Sequence, residues 1–303
     1  MEKVVASAPG KVILFGEHFV VYDRPAIVSA INLRAYVEAW KYDEPGVWIR
    51  GRRLSNHPAS RAIEYIFGKT GFTSGISLKI SSDIPASVGL GSSASISVAS
   101  AATASLLSLK KIDIELVKAA AVEGEKIVHF NPSGIDTTIA LYGGGGVYRK
   151  SSGFMHVDIP LKKILIVNTG RIRKTGEMVK RVKDFMEQNK ERFNMMLEKE
   201  EEIIRDAFDA FKNMDLEKLG KLMLENQNLL RELGVSSMEI DEAIKLALDA
   251  GAYGAKITGA GGGGCVICLV DEDKIERISK ALSSKFKTYL TELSAVGLKE
   301  EKT

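Results

Sequence analysis

Pro85-Ala-Ser-Val-Gly-Leu-Gly-Ser-Ser-Ala-Ser95 joins glycines, two hydroxyls and a helix start in one short turn, a combination suited to holding phosphate. The first N–H groups of a helix lack intrahelical partners, and the helix dipole adds partial positive charge there, so an oxyanion is stabilised. Gly89 and Gly91 let the backbone approach phosphate closely. The hydroxyls of Ser92 and Ser93 have two readings: they cap the helix, or they touch phosphate and a magnesium ion held between phosphates. The chain has no Gly-x-x-x-x-Gly-Lys-Ser/Thr loop, and Gly91 is followed by Ser92, Ser93 and Ala94 rather than by a dinucleotide fingerprint.

Two further places carry chemistry. In Pro9-Gly-Lys-Val-Ile-Leu-Phe-Gly-Glu-His18, Lys11 follows a tight turn and precedes an apolar strand, where it is either a surface charge or a point charge that neutralises a transferring phosphate. In Glu125-Lys-Ile-Val-His-Phe-Asn-Pro-Ser-Gly-Ile-Asp136 one carboxylate lies near a helix end and another follows a Pro-Ser-Gly turn. The two acids could divide metal binding and base work, or serve as a helix-surface Glu and a turn-capping Asp. A glycine loop, Gly259 to Gly264, leads into Cys265-Val-Ile-Cys-Leu-Val270. Its bare backbone suits close approach. The C-x-x-C spacing lacks the second ligand pair of a zinc site, so Cys265 and Cys268 read as small core residues of a buried strand.

The elements that must position these groups follow from apolar periodicity. Ile76-Ser-Leu-Lys-Ile80 alternates as a half-buried strand does, and Ala94 to Leu107 is a run without Gly or Pro that reads as a buried helix, so the phosphate turn links strand to helix. Val4 to Ala6 and Val12 to Phe15 read as early strands separated by a turn at Pro9-Gly10, followed by Ala26 to Val37. Asp113 to His129 has helical periodicity, with Gly124 an interruption near its end. From about Lys174 to Lys212 a charged helix pair follows, then helices over Leu216 to Leu233 and Ser237 to Ala250 with Gly234 as the stop between them. The boundary between two domains is expected near the Gly143 to Gly146 run and Ser151-Ser-Gly153, giving 1–158 and 159–303.

Composition bounds the rest. The 303 residues are 45% hydrophobic and 27% charged, enough for two domains of ordinary size. A formal charge of +3, with basic and acidic residues interleaved, does not imply nucleic acid as a partner. No charged-then-apolar leader opens the chain and no apolar run approaches the roughly 20 residues of a bilayer span, so the expectation is a cytoplasmic protein with no membrane partner.

Taken together the segments resemble the GHMP small-molecule kinases over nearly the whole chain. The matching motifs are Pro9 to Tyr22, Pro85 to Ser95 and Lys256-Ile-Thr-Gly-Ala-Gly-Gly-Gly-Gly-Cys265. Gly16-Glu-His-Phe-Val-Val-Tyr22 with Asn131-Pro-Ser-Gly-Ile-Asp-Thr137 is similar to the branch that phosphorylates mevalonate; relatives acting on phosphomevalonate or its tertiary hydroxyl are the near alternatives, and a non-enzymatic sensor of the same fold the distant one. Tyr22-Asp-Arg-Pro25 departs from the Tyr-Gly usual after that motif.

The resemblance implies an α/β (α+β) two-domain GHMP kinase fold, with a left-handed βαβ unit in the N-terminal domain, a ferredoxin-like C-terminal domain and the site in the cleft between. It implies ATP and Mg2+, mevalonate as acceptor, and a homodimer as the assembly. Carried onto this sequence, Asp136 is the base for the C5 hydroxyl and Lys11 its catalytic neighbour. Gly89, Leu90, Gly91, Ser92, Ser93 and Ala94 cradle the ATP phosphates, and Ser93 and Glu125 hold the metal. Glu17 and His18 line the acceptor side with Asp136, and Lys174 and Thr175 are candidates for the acceptor's carboxylate. The Gly259 to Gly264 loop is expected to pack on the phosphate-binding region, and Trp48 is a candidate to stack on adenine.

Overall fold

The structure is a computed structural model, and it describes residues 2–128, 134–172 and 175–302. The chain opens with β1 (Lys3–Phe15) and β2 (Ala26–Tyr42), two long antiparallel strands. The two early strands expected around Pro9-Gly10 are in fact one. β1 runs through that dipeptide with a register shift between Pro9 and Gly10, and a second shift falls between Ile13 and Phe15. Proline cannot donate to a ladder, and a bulge accommodates it without ending the strand.

Short strands β3 (Val47–Ile49) and β4 (Arg52–Arg53) lead to α1 (Pro58–Thr70), after which β5 (Gly75–Ser82) pairs with both β2 and β3. The β3/β5 pairing is parallel, with α1 as its crossover. Three helices then follow: α2 (Ser92–Leu109), α3 (Ile114–Glu125) and α4 (Ile135–Tyr142). The small residues of α2 let it pack on β1 and β2 on one side and on α1 and α3 on the other. Such a helix is apolar all round because it is buried all round. By length and composition α2 could also cross a membrane, but it is largely enclosed in the fold. β6 (Gly145–Arg149) and β7 (Gly153–His156) complete this part of the sheet against β2.

The second sheet begins at β8 (Lys163–Asn168). The expected helix pair is α5 (Thr175–Gln188) and α6 (Lys190–Asn213), followed by α7 (Leu216–Glu232) and α8 (Met238–Asp249). Next come β9 (Gly254–Thr258), β10 (Cys265–Leu269), α9 (Ile275–Ser283) and β11 (Lys287–Glu292). The antiparallel order β11-β8-β10-β9 is the ferredoxin-like arrangement. The last strand, β12 (Lys299–Glu300), returns to the first sheet and pairs with β1, so the chain beyond residue 159 does not stay within the second sheet.

A single apolar cluster joins the two sheets, running from Val12, Phe15 and Phe19 to Val167, Phe193 and Ile257. Polar contacts cross at the same level. Thr258 Oγ1 accepts from Ile13 N at 2.9 Å and donates to Ile13 O at 3.2 Å, so the strand carrying Lys11 is tied to the strand preceding the glycine loop.

Candidate active site

The site is built around the middle of β1. Lys11 is only 3% exposed, and its backbone N–H donates to Leu90 O at 2.9 Å, locking β1 to the glycine turn before α2. Its Nζ lies 3.2 Å from Asp136 Oδ1. Asp136 occupies the first turn of α4 and keeps 24% of its side-chain surface open. A lysine so buried is tolerable only with a charge partner, so the pair is set by the fold rather than by solvent.

The turn before α2 does what its glycines allow. Gly91 is the N-cap residue at φ 79°, and no side chain caps the helix. The capping reading of Ser92 and Ser93 therefore fails: Ser93 Oγ donates instead to Glu125 Oε1 at 2.7 Å. The first N–H groups of α2 are left unclaimed by side chains, which is the condition for receiving an oxyanion. A Cβ at Gly91 would stand 3.2 Å from Lys11 Cγ, so the turn and the lysine are in direct contact. Ser95, which sequence reasoning missed, donates to Pro9 O at 2.7 Å and fixes the helix to β1 at the bulge. Leu90 and Ala94 are buried, so these two expected cradle positions offer backbone only.

Glu125 ends α3 and arrives at Ser93 because the preceding residue is glycine. A Cβ at Gly124 would lie 2.7 Å from both Pro58 O and Ser97 Oγ, so this helix end packs directly on α1 and α2. The interruption seen in the sequence is thus a close approach. Burial pushes the Glu125 carboxyl up to about 7, and the nearby Asp136 charge adds to the rise, while the Ser93 hydroxyl and Lys11 oppose it. A buried carboxylate crowded by a second one, beside a serine hydroxyl, is an oxygen-only donor set. It fits a hard divalent cation that draws its remaining ligands from phosphates and water.

These residues border a cleft of about 340 Å³ lined by Gly89, Gly91, Ser92, Ser93, Asp136 and Thr175, among others. Thr175, at the start of α5, is the contribution of the second half to this wall. Lys174 and the stretch from His129 to Ser133 lie outside the described residues. His57 and Pro58 also line the cleft. His57 is the N-cap of α1, accepting from Ala59 N at 3.1 Å, and Pro58 follows at the first helical position. That helix-start pattern was readable, but nothing in it pointed to a site. Trp48 is not among the lining residues; its ring lies 5.1 Å from that of Tyr42.

Of the acceptor-side expectations, the one for Glu17 needs correction. Glu17 presents nothing to the cleft: its side chain is fully buried and ion-paired with Lys256 of β9. His18 is 7% exposed, with φ 64°, and its Nε2 lies 2.9 Å from Ala260 O. That nitrogen is engaged by the glycine loop. The glycines of this loop make their close approaches elsewhere in the second half. A Cβ at Gly261, Gly262 or Gly263 would meet Val235, Met178 or Arg171, all of the second half. Cys265 and Cys268 are fully buried in β10, as the core reading requires, and the described residues include no cluster of three metal-ligating side chains.

Comparison with known proteins matches two families to this chain: the GHMP kinases N terminal domain over residues 57–144, and GHMP kinases C terminal over residues 207–288. A mevalonate kinase of Pyrococcus furiosus is 35% identical, the match covering 99% of this chain and 98% of that protein. A mevalonate kinase of Aeropyrum pernix is also 35% identical, with 98% of each chain covered. Among solved structures, that of L. major mevalonate kinase in complex with R-mevalonate superposes with a TM-score of 0.85 at 28% identity, covering 98% of this chain and 97% of the other. The Methanococcus jannaschii mevalonate kinase gives the same TM-score and identity, covering 97% of this chain and 99% of its own.

Proposed function

The chain belongs to the GHMP kinases, and from that membership we propose that it is a mevalonate kinase, transferring the γ-phosphoryl group of ATP to the C5 hydroxyl of mevalonate. The observation that carries the site assignment is the Lys11–Asp136 pair, 3.2 Å apart, on the wall that holds the start of α2.

In this reading the N-terminal N–H groups of α2 and the backbone of Gly89 to Ser92 receive the phosphates. Asp136 accepts the proton of the acceptor hydroxyl as the phosphoryl group transfers. Lys11, held by Leu90 O through its own N–H, keeps Asp136 oriented and sets a positive charge beside the oxygen on which negative charge develops. Thr175, which lines the same cleft, would meet the acceptor's carboxylate. Ser93 and Glu125 would hold Mg2+. When bound, that ion neutralises phosphate charge. The Ser93–Glu125 hydrogen bond pre-orders both oxygens for it. A cytoplasmic setting, where ATP is available, belongs to this reading.

A coupled ADP-release assay across mevalonate, phosphomevalonate, homoserine and galactose tests this reading. Turnover with mevalonate is expected; turnover with one of the others alone would overturn it.

A further inference from the structure

Glu17, Lys256 and Glu200 form a set of ionisable groups that phosphoryl transfer does not use. They sit on the turn after β1, on β9 and on α6, and none is more than 1% exposed. Lys256 Nζ donates to Glu17 Oε1 and, at 2.7 Å, to Ile257 O. Glu200 Oε2 accepts from Asn226 Nδ2 of α7 at 2.5 Å, and the Gly16 backbone N–H also binds this carboxyl. Three acceptors in the set, Glu17 Oε2, Glu200 Oε1 and Asn226 Oδ1, have no donor among the described residues.

Two carboxylates sharing one ammonium in a sealed site leave a net negative charge and too few donors. Both conditions are costly. One proton relieves both: it cancels the excess charge and turns Glu200 Oε1 into a donor. Asn226 Oδ1 belongs to the amide that already grips the other carboxyl oxygen. The charged groups facing Glu200 from the elements packed on it are Glu17 and Lys256. Burial, with Glu17 in support, pushes the Glu200 carboxyl up to about 8 against the pull of Lys256 and Asn226.

The cluster lies directly behind the site. Glu17 precedes His18, whose ring engages Ala260 of the glycine loop, and Glu17 also senses the charge of Lys11. Lys256 lies two residues before Thr258, which ties β9 to Ile13. We propose that Glu17, Lys256 and Glu200 form a clamp holding a single proton on Glu200, in which Glu17 and Lys256 are positioning residues that set the His18 turn against the glycine loop.

Only the kinetic half of this inference rests on the kinase reading. In the full chain, Glu200→Gln supplies an amide donor in place of the proton. The parent's folded state keeps that proton up to about 8, whereas its unfolded chain releases it near the ordinary value of 4.5. The parent therefore loses stability as pH rises across this window, and the Gln variant does not. Glu200→Gln is expected to melt several degrees above the parent at alkaline pH, the gap closing toward 4.5. A variant that melts below the parent at alkaline pH would overturn the proton assignment. Lys256→Met is expected to melt lower, to raise the KM for mevalonate several-fold while lowering kcat less, and to recover part of both when combined with Glu17→Gln. A lower melting temperature with unchanged KM would overturn the positioning role. If mevalonate is not turned over at all, the melting comparison still reads the proton, and only the kinase reading falls.

Discussion

Lys11 Nζ stands 3.2 Å from Asp136 Oδ1, with the lysine enclosed in β1 and the carboxylate still open to the cleft. This asymmetry divides the labour. The cation cannot leave, and the carboxylate can meet a substrate hydroxyl. A buried cation that loses its partner is costly, so the pair also couples activity to local stability.

Asp136→Asn removes the proposed proton acceptor while keeping the shape. It is expected to lower kcat by about 100-fold or more, the scale of general-base catalysis, with ATP binding retained. Steady-state kinetics and nucleotide titration check this. A near-normal kcat would remove Asp136 from the role of base.

Glu125→Gln keeps the Ser93 contact sterically but takes away the charge proposed to bind the metal. The Mg2+ concentration giving half-maximal rate should rise by more than the KM for mevalonate does. A metal titration that superposes on that of the parent would exclude Glu125 from the metal's ligands.

Gly91→Ala places a methyl group 3.2 Å from Lys11 Cγ at a backbone φ of +79°. The left-handed conformation alone costs about 1–2 kcal/mol for a residue with a Cβ. We expect a lower melting temperature together with a fall in kcat/KM, since the lysine must shift. Loss of stability with kcat/KM unchanged would show that the Lys11 position tolerates the displacement.

Cys268 lies fully buried in β10, and burial pushes its thiol up to about 12. Because the thiolate is the reactive form, neither Cys265 nor Cys268 should react with a thiol reagent in the folded protein at neutral pH, and both should react in denaturant. Rapid labelling of the native chain, read by mass spectrometry, would contradict the core assignment.

The elements were largely legible in the sequence because they rest on local signals. The alternation over Ile76 to Ile80 becomes β5, and the Ala- and Ser-rich run becomes α2. Where local signals misled, a tertiary partner decided. Pro9-Gly10 reads as a turn, yet β2 pairs along its length and leaves only a register shift. Gly124 reads as an interruption, yet Pro58 O and Ser97 press against it and carry Glu125 to Ser93.

The sequence by itself determined which groups could do chemistry: Lys11, the Gly89 to Ser93 turn, Glu125 and Asp136 belong to motifs whose residue types suit phosphate, a hard cation and a proton. It could not say which acids face the cleft. Glu17 and Asp136 are both carboxylates in motifs, but Glu17 turns inward to Lys256 while Asp136 stays open. That choice depends on Lys256 of β9 and Glu200 of α6, both distant along the chain, closing over Glu17. Desolvation by distant elements leaves no mark on local residue patterns, so only the tertiary structure separates the acid open to the cleft from the acid sealed behind it.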